Sequence, residues 1–545
     1  MTTRTPWTGR APRFAVAVLV LAVAAATIAF GSGARAATSP TPAHVSVNFG
    51  AFQGPLWHPE RFNNFTRRNL FPDQRPSDAA YLNSRGVHGA VYRTWLAPDG
   101  VCTAPTTSCT LPDDVRTYFK AASAVADSIL LDTRVGDLAD PSRDGGALSP
   151  AQVKPIIKRI IKTVKGNYPK LTYIEPFNEP DAPSARAYLT PAKVYPYYRV
   201  VAQAVNEVNA ELKPDVPLQV GGAAFFEFDP TWIGRFLSDF AADRDPAKRL
   251  DFFSYHAYLE FRDMATLEDP VFYKDDPSLV ANQRARLAAM FKARDLDPNI
   301  PSFVSESGMY PGPLFDDPLT GTAQSCPPAA GEPGLPVCDK YFTTDYLRQA
   351  AGMASLGYWF AGQPETYMFN WTTRHSENAR KDEFVTRVPK GTAVPTNTLT
   401  PYGNLLVMQA KMKPWKVSAT SDSLSKGIGV YALASRTGDG KAVSIMVWNY
   451  QGCGAAVIGD PCTNNQRYQA TVDLSHLPAN LVRHSVHERV FRIDQTTSNY
   501  YATPATDPAH ANLQQVASKT FTPGSNYTET LDLKPNAIYL VQLQV

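Results

Sequence analysis

The sequence predicts an α/β protein: a (β/α)8 TIM barrel followed by a C-terminal antiparallel β-sandwich. Three observations predict it. Eight apolar, strand-like runs recur at intervals of about 30 to 50 residues and alternate with helical patterns. After Val417 the helical periods stop, and short runs alternate between turns as half-buried antiparallel strands do. Two of the eight runs end in a glutamate, and the carboxyl ends of barrel strands form the catalytic face of that fold.

The eight runs are 44–49, 89–95, 129–135, 171–179, 218–224, 251–258, 300–306 and 366–371. Between them, 149–164 follows a Ser-Pro start and carries Val153, Ile156, Ile157, Ile160, Ile161 and Val164 at helical spacing. The stretch 190–212 opens on Thr190-Pro191 and carries Val194, Val201, Val205 and Val208 in the same way; 279–293 and 344–356 complete the visible helices. Sandwich strands are expected at 429–435, 442–450, 468–474, 486–493 and 537–545. With 545 residues the chain is too long for one core. The expected division is residues 1–36 as a signal peptide, 37–416 as the barrel and 417–545 as the sandwich.

Arg4, Arg10 and Arg13 precede an apolar run from 14 to 30, and Ala34-Arg35-Ala36 supplies an A-x-A cleavage site, the pattern of a secretory signal. The run is short for a membrane span. Removing the signal takes away four arginines and no acids, so the formal charge falls from +3 to −1. The mature chain then has no electrostatic case for nucleic acid or anionic membranes. Secretion is the expectation, with a carbohydrate partner and the oligomeric state open. Six cysteines fall in three close pairs, Cys102 with Cys109, Cys326 with Cys338 and Cys453 with Cys462, which in an exported chain read as local disulfides. Neither they nor the nine histidines show metal-ligand spacing, so no metal and no cofactor are expected.

The run at 171–179 closes in Asn178-Glu179-Pro180, where the proline stops ladder pairing. The run at 300–306 closes in Ser305-Glu306-Ser307-Gly308. The two glutamates are 127 residues apart, which fits three strand–helix units. Opposed across a small barrel at about 5–5.5 Å, one carboxyl acts as nucleophile and the other as acid, then base, on a glycosidic bond. A glutamate ending one strand is more often a salt-bridge partner; the matched pair favours chemistry. Asn178 reaches the same site as its neighbour Glu179 only if the strand ends or bulges there. His256 and Tyr258 share the inward parity of their strand, and Tyr258 is placed to donate to Glu306.

Asn178-Glu179-Pro180, His256-Ala257-Tyr258 and Ser305-Glu306, in that order, resemble the acid/base, H-x-Y and nucleophile elements of clan A glycoside hydrolases. The resemblance covers about 370 residues, and the trailing β-domain is similar to that of family 39, which includes β-xylosidases and α-L-iduronidases. It implies Glu179 as acid/base, Glu306 as nucleophile and a retaining O-glycoside hydrolase. It also implies that Arg93 orients the nucleophile and that Trp371 supplies an aromatic platform under the sugar. A plain ion pair between Arg93 and Glu175 is the competing reading. Trp57, His58 and Trp95 are further candidates for the cleft. This chain has Phe177 where family 39 xylosidases have tryptophan, Arg93-Thr94-Trp95-Leu96 where they have R-x-H-G, and Ser307-Gly308 where an aromatic commonly follows the nucleophile. Xylose as the sugar is therefore not implied. The alternative function is a non-catalytic carbohydrate-binding protein on the same scaffold. Three glycosylation sequons, at Asn64, Asn370 and Asn526, are read as chance matches.

Overall fold

A computed structural model describes residues 39–66, 74–104, 107–259, 276–309, 343–371, 385–388, 396–452, 464–500 and 508–545. Its first nine strands are β1 (Thr41–Pro55), β2 (Phe62–Thr66), β3 (Gly89–Trp95), β4 (Ala126–Asp132), β5 (Leu171–Glu175), β6 (Gln219–Val220), β7 (Phe253–Leu259), β8 (Ser302–Met309) and β9 (Thr366–Asn370). Strands β2 to β9 form one parallel sheet in the order β6-β5-β4-β3-β2-β9-β8-β7. The remaining seam, between β6 and β7, is closed by backbone hydrogen bonds from Asp251 to Val220, Gly222 to Phe252 and His256 to Phe225, at 2.8–2.9 Å. The sheet is thus a closed (β/α)8 barrel.

Helices cover its outside for the reasons legible in their sequences. The helix Pro150–Asn167 starts where the Gln152 side chain accepts from the Ser149 amide at 2.9 Å. It buries the stripe Val153, Ile156, Ile157, Ile160, Ile161 and Val164. Pro191–Leu212 packs beside it, and Lys158 bridges both Glu207 and Glu211 across the pair.

Inside the barrel, side chains of period two build two floors. The lower floor is apolar: Val91, Leu130, Phe252, Phe303 and Phe369, with Phe62, Tyr173 and Tyr367 packed against them. Two residues on along four of those strands come Asn64, Arg93, Asp132 and Glu175, all buried. A polar floor therefore lies toward the carboxyl ends, above an apolar plug that keeps it dry from below.

The first predicted strand is corrected by the structure. Residues 44–49 belong to β1, and β1 is not in the barrel. It pairs antiparallel with Trp415–Ser421 and parallel with Tyr468–Ser475 in a ten-stranded, mainly antiparallel sheet. Its burial alternates from Pro42 to Gly50, whereas every residue of β8 is buried. That is the difference between a strand with one wet face and a parallel strand covered on both. The barrel begins instead at Phe62–Thr66.

The second sheet coils over a core of its own, in which Val45, Val47, Val443, Ile445, Val447, Val472 and Val541 meet. Its strand Ala442–Tyr450 is buried on both faces. Val443, Ile445 and Val447 point into that core, while Met446, Trp448 and Tyr450 join the barrel's core. Trp448 stacks on Tyr431 and donates to Ser355 of the helix Thr343–Ala361 at 2.9 Å. Cys102 and Cys109 form a disulfide with a Cα separation of 4.9 Å. Cys326, Cys338, Cys453, Cys462 and the expected signal peptide lie outside the described residues. Among those described, no helix is long and apolar enough to cross a membrane.

Candidate active site

Two local irregularities bring the carboxyls together. β5 stops at Glu175, and Glu179 takes the left-handed backbone conformation, φ = +51°. A regular strand would aim Asn178 and Glu179 to opposite sides. The left-handed turn lets both face inward: Asn178 Oδ1 accepts from Arg93 at 2.9 Å, and Glu179 Oε1 lies 2.9 Å from His256 Nδ1. On β8 a bulge does the equivalent work. Pairing with β7 steps from Tyr255–Val304 to His256–Glu306, which adds one residue on β8. Phe303 in the lower floor and Glu306, three residues on, consequently face the same interior.

The facing oxygens of Glu179 and Glu306 and the Nδ1 of His256 lie within 4.8 Å of one another. Carboxyls this near one another fit the closer of the two spacings glycosidases use, about 5–5.5 Å, at which one carboxylate attacks a carbon while the other serves the departing oxygen.

The surroundings of the two differ. Glu306 is almost fully buried and fully bonded: Oε1 accepts from Arg93 at 2.6 Å and Oε2 from the Tyr258 hydroxyl at 2.5 Å. Burial pushes it above its ordinary value; His256, Arg93 and the Tyr258 hydroxyl oppose that, while Glu179 adds to it. Glu179 has 22% of its side chain exposed and, among the described residues, a single side-chain hydrogen-bond partner, His256. Burial raises it to about 7, against the pull of Arg93 and Arg134. Burial also lowers His256 to about 4, so its ring is neutral at neutral pH. Glu179 is accordingly the carboxyl set to hold a proton, and Glu306 the one supplied with donors to its charged form.

Arg93 ties these parts to one another. Its five N–H donors meet five acceptors: Nε to Glu175, one terminal nitrogen to Asn64 and Glu306, the other to Asp132 and Asn178, at 2.6–3.2 Å. The ion pair with Glu175 and the contact with Glu306 are made at once, by a single guanidinium that bridges the two carboxylates at 2.6 Å each. Burial pushes Asp132 up to about 8, Glu175 adds to this, and Arg93 and Arg134 oppose it.

Trp371 follows β9, donates its amide to Ser307 at 2.8 Å and sets its ring edge-on to Tyr258, 6.4 Å between centroids. It therefore stands beside the Glu306 end of the site. The side chain of Trp95 lies outside the described residues. Trp57 and His58 are not brought to the carboxyl pair. They precede β2 and line a separate cavity with Glu60, Gly357, Tyr358 and Met446, between the helix Thr343–Ala361 and the second sheet. The strand that precedes them, β1, lies in the second sheet and not in the barrel, so the loop that carries them does not open onto the cleft.

Glu179, His256 and Glu306 are also the described residues whose atoms converge closely enough to ligate a cation. The Arg93 guanidinium already fills Glu306 Oε1, and a fixed positive charge at that distance repels a second cation.

Sequence reasoning missed Asn64 and Asp132. Asn64 appeared only as a sequon; it is fully buried, donating to Ser305 and Asn370 and accepting from Arg93. Asn370 is buried as well, bonded to Pro59 and Phe62. Asp132 was legible, being two residues past the inward Leu130 on β4.

No protein-family model matches the chain, and no curated protein is similar to it in sequence. Solved structures share its architecture. A monomeric β-xylosidase from Caulobacter crescentus superposes with a TM-score of 0.62 at 14% identity, over 92% of this chain and 99% of that one. A glucosidase from Croceicoccus marinus gives 0.60 at 15% identity, with 92% and 99% covered. The two-domain fold is theirs. It extends to a family 51 α-L-arabinofuranosidase from Thermotoga petrophila, with a TM-score of 0.56 at 12% identity over 92% and 99% of the two chains. Barrel and second sheet are thus matched together.

Proposed function

We propose that this protein is a retaining O-glycoside hydrolase acting on oligo- or polysaccharides. Glu179 protonates the departing oxygen while Glu306 attacks the anomeric carbon. Glu179, now ionised, then draws a proton from water, which displaces Glu306 from the glycosyl-enzyme. Asn178, held by Arg93, is placed to bond a hydroxyl of the sugar. Trp371 offers it an apolar face. The observation that carries this reading is the pair of unlike carboxyls within 4.8 Å at the carboxyl end of a barrel. The names of the structural neighbours, a xylosidase, a glucosidase and an arabinofuranosidase, support it. A non-catalytic binder has no use for one protonated and one donor-saturated carboxyl on the same spot.

We infer that the chain is exported, with cleavage after Ala36; the Cys102–Cys109 disulfide supports an oxidising compartment. The test of activity is a screen of aryl glycosides with the wild type, Glu179→Gln and Glu306→Gln. At least one sugar should be hydrolysed by the wild type, and Glu306→Gln should lose that activity by several orders of magnitude. A wild type inert toward every glycoside would leave the binding alternative.

A further inference from the structure

The segment that follows β6 is not a strand, although the barrel needs one there. β6 holds two residues, and residues 221–226 cross the gap to β7 in an irregular path. Gly222 has φ = +78°, and a Cβ on it would fall 1.9 Å from the Ser254 hydroxyl. Ala224 is left-handed too, φ = +44°. The Ser254 hydroxyl accepts the Ala224 amide at 3.1 Å, and the Ala224 carbonyl accepts the amide of Glu179 at 2.9 Å. Two non-glycine residues in left-handed conformations are therefore bonded face to face. Such conformations persist only where the surroundings enforce them, and they collect at functional sites.

The enforcing contact on the other side is Asp181. Its side chain is fully buried, and Oδ1 accepts the amide of Phe226 at 2.6 Å. Its carbonyl accepts from Arg186 Nε at 2.6 Å. Residues 179 and 181 are thus stitched to 224 and 226, one bond in each direction, with Pro180 rigid between them. The Oδ2 of Asp181 has no hydrogen-bond partner among the described residues. An ionised carboxylate in that place is costly: burial pushes the group well above its ordinary value, Glu179 and Glu227 add to this, and the Phe226 amide opposes it.

We propose that Asp181 is a positioning residue for Glu179, acting through the segment 221–226 to hold the left-handed turn that aims the acid/base at the leaving-group oxygen. The proposal rests on the assignment of Glu179 as acid/base. It goes beyond it by naming what fixes that carboxyl in place. Asp181 does not touch the reacting atoms in this account.

A displaced acid has a diagnostic consequence. Proton donation matters when the leaving group is basic and contributes little when it is a dinitrophenolate. In Asp181→Ala, kcat/KM for an alkyl glycoside or disaccharide of the preferred sugar should fall about 10- to 100-fold, while kcat/KM for the dinitrophenyl glycoside should change by less than about 3-fold. Asp181→Asn keeps an acceptor oxygen for Phe226 and should recover most of the loss. Ser254→Ala removes the hydroxyl behind Ala224 and should give the same selective pattern, more weakly; it serves if Asp181→Ala does not fold. Equal losses on both substrates in the folded variants, or no loss on either, would overturn the proposal. A wild type that hydrolyses no glycoside would instead sink the assignment beneath it, so the two failures are distinguishable.

Discussion

The Tyr258 hydroxyl donates to Glu306 Oε2 over 2.5 Å, from a ring that lies against Gly308. A Cβ at position 308 would come within 2.8 Å of that ring, which gives the Ser307-Gly308 sequence a physical reason: a larger residue would push the donor off the carboxylate. Tyr258→Phe should lower kcat about 10- to 100-fold, as loss of a preorganised donor to developing or resting charge does. The hydroxyl bonds the ionised form, so its removal favours protonation of Glu306 and moves the acid limb of the pH profile to higher pH. Gly308→Ala should shift the same limb in the same direction with the tyrosine still present. Steady-state kinetics across pH check both.

The pH dependence of the wild type follows from the two carboxyls. Glu306 must be ionised to attack, and it is raised from 4.5, so kcat/KM should rise with pH along a limb above that value. Glu179 must be protonated to donate, and it sits at about 7, so kcat/KM should fall as pH increases through about 7. The bell belongs to the pair as a coupled system. A dinitrophenyl glycoside, which needs no acid, should lose the falling limb. The same sign governs stability. Glu179 in the folded chain keeps its proton above 4.5, where the unfolded chain releases it, so its contribution is lost as pH rises toward and through about 7.

Arg93 is buried among Glu306, Glu175 and Asp132. Removing the cation in Arg93→Ala leaves three buried carboxyls without their shared positive charge and should destabilise the fold by about 3–5 kcal/mol. Arg93→Lys keeps the charge but has three donors for five acceptors. It should stay folded, with kcat reduced more than KM is raised, because the donors to Glu306 and Asn178 can no longer both be supplied. Urea unfolding and kinetics on the two variants separate the structural from the chemical part.

Trp448 fills the boundary between the second sheet and the helix Thr343–Ala361 and has no solvent exposure. Trp448→Ala should cost about 3–5 kcal/mol. Because β1 comes from the chain's beginning and pairs with strands near its end, barrel and sheet should unfold in one transition. Two separated transitions in calorimetry would contradict this.

Much of the barrel was legible because its strands are buried on both faces and read as continuous apolar runs, as in 251–258 and 300–306. The same property, used as a filter, separates β1: His44-Val45-Ser46-Val47-Asn48-Phe49 alternates polar and apolar, and the structure leaves its odd-numbered side chains buried and its even ones outward. Spacing alone placed it in the barrel, and Trp57 and His58 were misplaced with it. The strands Gln514–Phe521 and Tyr527–Leu533 were not foreseen, since they are mostly exposed and polar. At the site, Glu179, Glu306, His256 and Tyr258 were visible from strand ends and parity. What the sequence could not display was the geometry that makes them converge: a left-handed glutamate, an extra residue in β8 and a segment that replaces most of β6. These depend on long-range contacts, Glu179 to Ala224 and Asp181 to Phe226 among them.

The central claim is the division of labour between Glu179 and Glu306, and azide tests it most directly. With Glu179→Ala and an activated glycoside of the preferred sugar, the glycosyl-enzyme on Glu306 should accumulate. Added azide should restore turnover and yield a glycosyl azide of retained anomeric configuration, read by NMR. A glycosyl azide of inverted configuration from that variant would mean that Glu179 is the nucleophile, and the account of the site would be wrong.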